Sequence, residues 1–230
     1  MKQSGFYKLS PDYEFLDYGY AELNPCIFTY VQNKILPQYD NFDKAHNRKH
    51  VERVLKNSFA IARNFDVDIN KVYVTAAYHD VGLPQGRSEH EKHSSAYLLA
   101  DMRLKEWFSE CDLMEIAEAI QDHRASSGYV PRSIYGKIIA DADRDIDYTT
   151  ILTRAIPYFV ECYPNSTKEQ LFDCFYKEIQ DKYGENGYLK LWLDTEPNRS
   201  NLTEIRNILA DSGKFKADFI RIFNEIVNMK

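Results

Sequence analysis

The chain has 230 residues, 44% of them hydrophobic and 28% charged, which suits a globular protein able to bury a sizeable core. A net charge of −6 excludes a general binder of nucleic-acid polymers, which needs a basic surface to replace phosphate counterions, but leaves room for a local basic pocket. No window reaches the run of about 18 apolar residues expected of a membrane span.

The opening stretch MKQSGFYKLSPDYEF lacks the apolar core of a signal peptide, and Cys26, Cys111, Cys162 and Cys174 form no CxxC pair. Reduced, structural thiols in a cytoplasmic protein are therefore expected. Helical spacing recurs from about residue 44. A first helix is expected from an N-cap at Asp43, with Val51, Val54, Leu55, Ser58, Ala62 and Phe65 on its apolar stripe. A second runs from about Asn70 to His79, stopped by Gly82 and Pro84. A third covers about Glu89–Met102. A fourth follows Asp112 with Leu113, Ile116, Ala117 and Ile120 on one face. After Pro131 and Ser133, a fifth carries Ile134, Ile138 and Ala142. Lys168–Lys182 and Asn201–Lys230 read as further amphipathic helices around a loop at Gly184–Pro197. The expectation is a single all-α domain over 1–230, with a C-terminal helical extension from about 151 packed on the rest. The Tyr and Leu spacing near Tyr188–Trp192 suits core or a homodimer contact better than a ligand site.

All six histidines, His46, His50, His79, His90, His93 and His123, lie between residues 46 and 123. Imidazole binds divalent transition metals while neutral, so such clustering is a metal-site cue. His50 and His46 border the inward stripe of the first helix, His79 and Asp80 end the apolar run Val72–Tyr78, and His123 follows Ile120 by three. Asp141 follows Ile138 by three. Buried imidazoles and carboxylates are costly unless paired or metallated, so several helices aiming such groups inward imply a shared divalent ion. His46-Asn47-Arg48-Lys49-His50 lacks the Glu of a zinc-protease HExxH helix and is not read as one.

The order His50-Val51-Glu52-Arg53-Val54, Ala76-Ala77-Tyr78-His79-Asp80-Val81-Gly82 and Ala140-Asp141-Ala142-Asp143-Arg144 resembles the HD superfamily of metal-dependent phosphohydrolases. The resemblance covers about residues 45–150. It implies a helical bundle in which His50, His79, Asp80 and Asp141 are the primary metal ligands. His90-Glu91-Lys92-His93-Ser94-Ser95-Ala96 and Gln121-Asp122-His123 are similar to a subset with two metals, in which Asp80 would bridge and His90 and His123 would hold the second ion. His93 is given a structural or supporting role, and His46 an orienting hydrogen bond. Asp143, Asp145 and Asp147 are expected to alternate along the fifth helix and to face solvent or cap its end.

Mixed imidazole and carboxylate donors suit Mn²⁺, Fe²⁺, Co²⁺, Ni²⁺ or Zn²⁺ better than Mg²⁺. The expected reaction is hydrolysis of a phosphomonoester or phosphodiester of a nucleotide or other small metabolite, with Asp80, Arg87 and Arg124 in the chemistry and Arg132, Lys137 and Arg144 as further cations. Ser126, Ser127 and Gly128 could help to hold an anion. Some mononuclear members carry a Glu three residues after the His-Asp pair, where this chain has Leu83, so Glu91 is a candidate base. The Gly-Tyr-Pro of the cyclic-dinucleotide branch is also absent, since Val130 follows Gly128-Tyr129. Two alternatives stay open: a di-iron centre that oxidises C–H bonds, and a metal-stabilised binding module without turnover.

Overall fold

The structure, a computed structural model, describes residues 23–43, 45–124, 128–144 and 146–228, with side chains to 225. Among them are ten α-helices and no strand, the all-α class expected from the periodicity. None of these helices is long and apolar enough to cross a membrane. The chain divides into two compact units at the Asp143–Arg144 junction.

The first unit contains α1 (Pro25–Tyr30), α2 (Arg48–Ala62), α3 (Ile69–Tyr78), α4 (His90–Ala100), α5 (Glu110–Asp122) and α6 (Ile134–Asp143). Helix α3 is its axis. Every residue from Val72 to Tyr78 is buried, and the helix packs against α2, α5 and α6. Each such large apolar side chain taken from water contributes about 1.5–3 kcal/mol, so this short helix is held by its surroundings and not by propensity. The sequence did not anticipate α1 or the π-helical turn Val31–Ile35 and 3₁₀ turn Leu36–Asn41 that continue it; these bury Val31, Ile35, Leu36 and Tyr39.

Two helix starts differ from expectation for reasons of capping. The N-cap of α2 is Asn47, whose side chain accepts from the backbone N–H groups of Lys49 and His50. Asp43 instead receives the Ala45 N–H and the His46 ring, so it organises the loop before the helix. In α5, Ser109 and Asp112 form a reciprocal capping box, which draws the start forward to Glu110.

The second unit holds α7 (Tyr148–Cys162), α8 (Lys168–Tyr183), α9 (Asn198–Ala210) and α10 (Ser212–Asn228) around a core that includes Phe159, Phe175, Phe215 and Phe219. Phe175 meets Phe159 edge-on at 5.4 Å and stacks on Phe215 at 5.8 Å, the preferred arrangements of aromatic pairs. The helical stretch expected over Asn201–Lys230 is broken at Asp211, which ends α9 and accepts from the Lys214 N–H at the start of α10. Asp147, expected at the end of the fifth helix, lies beyond it and caps the start of α7 by accepting from the Thr150 N–H.

Gly82 sets how closely α4 approaches the end of α3. Its N–H donates to Ser94 Oγ at 2.9 Å, and a Cβ there would lie 2.3 Å from Ser94 N and 2.6 Å from His93 Cβ. Since its φ of −81° is open to any residue, the requirement is space alone. Gly82→Ala is expected to lower stability by about 1–3 kcal/mol in urea unfolding, because the neighbours are mostly backbone and cannot yield cheaply. An unchanged midpoint would show that the contact is soft.

Candidate metal centre

Two histidines reach the centre from helix C-termini. His79 is the C-cap of α3, and its ring folds back so that Nδ1 donates to Ala76 O at 2.7 Å. His123 is the C-cap of α5 and does the same to Ile120 O at 2.6 Å. In each case the ring binds a carbonyl of the last turn, at α5 alongside the His123 N–H, and is aimed with Nε2 forward. His90 opens α4, with Nδ1 3.0 Å from Arg87 O in the preceding turn. His50 sits in the first turn of α2, fixed by the Asn47 cap.

The four Nε2 atoms form two pairs: His50 and His79 are 3.1 Å apart, and so are His90 and His123. Asp80, 2% exposed, lies between the pairs. Its Oδ2 is 3.4 Å from His50 and 3.3 Å from His79, while its Oδ1 is 3.2 Å from His90 and 3.6 Å from His123. Two donors about 2.1 Å from one ion, at about 90–110° to each other, sit about 3.0–3.4 Å apart, which is the spacing seen in both pairs. Burial alone would raise the Asp80 carboxyl, but His79, His123 and His50 outweigh it and hold the group well below the usual range. Burial likewise pushes His79 down, yet Asp80 and then Asp143 reverse the sign and hold it at about 9. His90 is raised by Asp80 against its own burial, whereas at His50 burial wins and the ring is lowered. Two groups of side chains could therefore hold a metal ion: His50, His79 and Asp80, and Asp80, His90 and His123.

Beneath the pair stands Tyr39, which the sequence did not single out. Its hydroxyl donates to Ala77 O at 2.9 Å and accepts from the Asp80 N–H at 3.2 Å. It pins the turn that carries His79 and Asp80.

The second carboxylate differs from expectation. Asp141 is fully buried in α6. The group beside the histidines is Asp143, with Oδ1 3.3 Å from His50 Nε2 and 3.8 Å from His79 Nε2. Asp143 was expected to face solvent or cap the helix; its side chain is 27% exposed and turns to the imidazoles, which depress its pKa against its burial. Since α6 is buried on most of its surface, apolar spacing cannot say which of two nearby aspartates faces the centre.

Among the cations, Arg87 is 67% exposed and paired with Asp43, which also holds His46. Arg124 donates to Ser88 O and to Glu91, whose Oε2 is 3.6 Å from His90 Nδ1. Arg132 grips the buried Asp122 through its backbone N–H and its guanidinium, a structural role. Arg144 donates to Lys190 O within the second unit, and Lys137 is half-buried on α6. His93 packs against Gly82, and Leu83 opens a 3₁₀ turn. Ser126, Ser127 and Asp145 lie outside the described residues.

If His79 is a ligand, an ion must displace the proton that His79 holds up to about 9, so affinity is expected to climb with pH across the neutral range and level off above that value. Calorimetry in buffers of different ionisation enthalpy reads both affinity and released protons. Binding without proton release would remove His79 from the ligand set.

Residues 48–145 match the family model described as HD domain. The fold is similar to that of a predicted HD superfamily hydrolase from an uncultured Thermotogales bacterium, a crystal structure 22% identical in sequence, with a TM-score of 0.53 over 83% of this chain and 92% of that one. No curated protein matches. Every histidine and carboxylate of the two clusters falls inside the matched span, and residues 48–145 are an HD domain.

Proposed function

We propose that the protein is a metal-dependent phosphohydrolase acting on a phosphomonoester or phosphodiester of a nucleotide or other small metabolite. The observation that carries this reading is Asp80, a buried carboxylate with one oxygen toward each of two imidazole pairs. His50, His79 and Asp80, with Asp143 in place of Asp141, would hold one divalent ion, and Asp80, His90 and His123 a second. Such ions supply an activated water and a Lewis acid for a phosphoryl oxygen.

The protein's own side chains supply the rest. Arg87 and Arg124 are the cations placed near the histidines, and phosphoryl transfer needs such groups fixed around the developing charge. Each is held by a carboxylate, Asp43 or Glu91, which orients it without burying it fully. Glu91, with its side chain 12% exposed beside His90, is the carboxylate in reach for proton transfer where Leu83 cannot serve.

Elemental analysis of the purified protein and of Asp80→Ala tests the reading, followed by a phosphoester panel. About two equivalents of metal are expected in the wild type, because each imidazole pair matches one ion of a two-metal site. Asp80→Ala should lose both ions and at least about a hundredfold in turnover, because it serves both pairs. About one equivalent would turn His90 and His123 into substrate contacts. Iron with oxygen uptake would favour the oxidation reading, and no metal in either protein would sink the proposal.

A further inference from the structure

We infer that Tyr39 is a positioning residue of the metal centre: its hydroxyl takes over the hydrogen bonds that α3 gives up at its last turn, and so fixes the backbone of His79 and Asp80 for cation binding. The inference rests on reading the cluster as a metal centre. In an unbroken helix the Asp80 N–H would donate to Ala76 O and the Val81 N–H to Ala77 O, each four residues back. Here Ala76 O faces Nδ1 of His79 at 2.7 Å, and the Val81 N–H turns to Tyr78 O at 3.3 Å. The exchange frees the Asp80 N–H and Ala77 O from their helical partners, and both need new ones inside the protein.

The Tyr39 phenol supplies both. It donates to Ala77 O at 2.9 Å and accepts from the Asp80 N–H at 3.2 Å. Tyr39 is completely buried, and its ring stacks on that of His79 at 6.4 Å and lies 5.0 Å from that of Phe42. It comes from the 3₁₀ turn Leu36–Asn41, anchored by the buried Val31, Ile35 and Leu36, and so from ahead of the span 48–145 that matches the family model. Residues outside the matched domain therefore take part in setting the centre. With the hydroxyl gone, the acceptor that helix geometry offers the Asp80 N–H is Ala76 O, the one that the His79 ring occupies. Because Asp80 faces both imidazole pairs, a turn rewound in that way would displace a donor of each.

Calorimetric titration of the chelator-stripped full chain with Mn²⁺, beside urea unfolding, tests the role. Tyr39→Phe keeps the ring and loses only the hydroxyl. Tyr73→Phe is the control, since it removes from buried α3 a hydroxyl that accepts from Gln32. Both variants are expected to lower the unfolding midpoint. Only Tyr39→Phe should weaken Mn²⁺ binding, by about ten- to a hundredfold, the usual effect of losing a group that orients a ligand. Unchanged Mn²⁺ affinity in Tyr39→Phe, or an equal loss in Tyr73→Phe, would overturn the inference while keeping the metal reading. No Mn²⁺ bound by the wild type would overturn the metal reading, and the inference with it. Should Tyr39→Phe fail to fold, amide hydrogen exchange of the wild type reads the same bond. The Asp80 amide is expected to exchange as slowly as those inside α3, and more slowly still with Mn²⁺. Exchange at the rate of an unbonded amide, or no response to Mn²⁺, would refute the role of Tyr39.

Discussion

One carboxylate, almost completely removed from water, is shared among four imidazoles, and much of the first unit is arranged around that fact. A buried carboxylate is expensive unless every oxygen finds a partner. Asp80 meets the condition with two rings at each oxygen, while its own N–H is received by Tyr39. The rings come from four helices, α2 through α5, so no single helix can shift without disturbing the set. Helix α3, buried at every residue from Val72 to Tyr78, is the element that makes this possible, because a helix so packed delivers its last turn to a fixed point.

Helix ends do a second job here. The last carbonyls of a helix lack partners within it, and at α3 and α5 one of them accepts from the imidazole of the residue that follows the helix, at α5 together with that residue's N–H. The same hydrogen bond chooses which nitrogen of the ring faces the centre. A local demand of backbone chemistry and a demand of the site are thus met by one contact. At His50 the outer nitrogen instead lies 3.1 Å from Nη2 of Arg53.

The second unit stands on a separate core, in which phenylalanines of α7, α8 and α10 pack edge-on and stacked. A core of its own is what allows a segment to form a compact unit. Its α7 was not legible in the sequence. Thr149, Thr150, Ile151 and Thr153 are β-branched, Pro157 lies inside the helix, and local propensity argues against the fold that packing imposes. The turns before α2 were hidden for a similar reason, since Val31, Ile35, Leu36 and Tyr39 show no single helical period once the backbone passes through π and 3₁₀ turns.

The sequence by itself determined the helical class and most of the donors, because imidazoles are rare and their crowding into one stretch of chain carries chemical meaning before any fold is known. His50, His79, Asp80, His90 and His123 could be named from spacing and the resemblance they carry, and the structure brings these five together. It could not decide between Asp141 and Asp143, since aspartates are common and the helix that bears them is buried nearly all round. It could not find Tyr39, whose role is a hydrogen bond to residues about forty positions away. Nor could it separate Arg132, spent on Asp122, from Arg87, paired with Asp43, or Arg124, paired with Glu91 beside His90. Composition and period report what a residue is and how often it recurs along the chain. Which atom of it meets which partner is fixed only when distant segments close on one another.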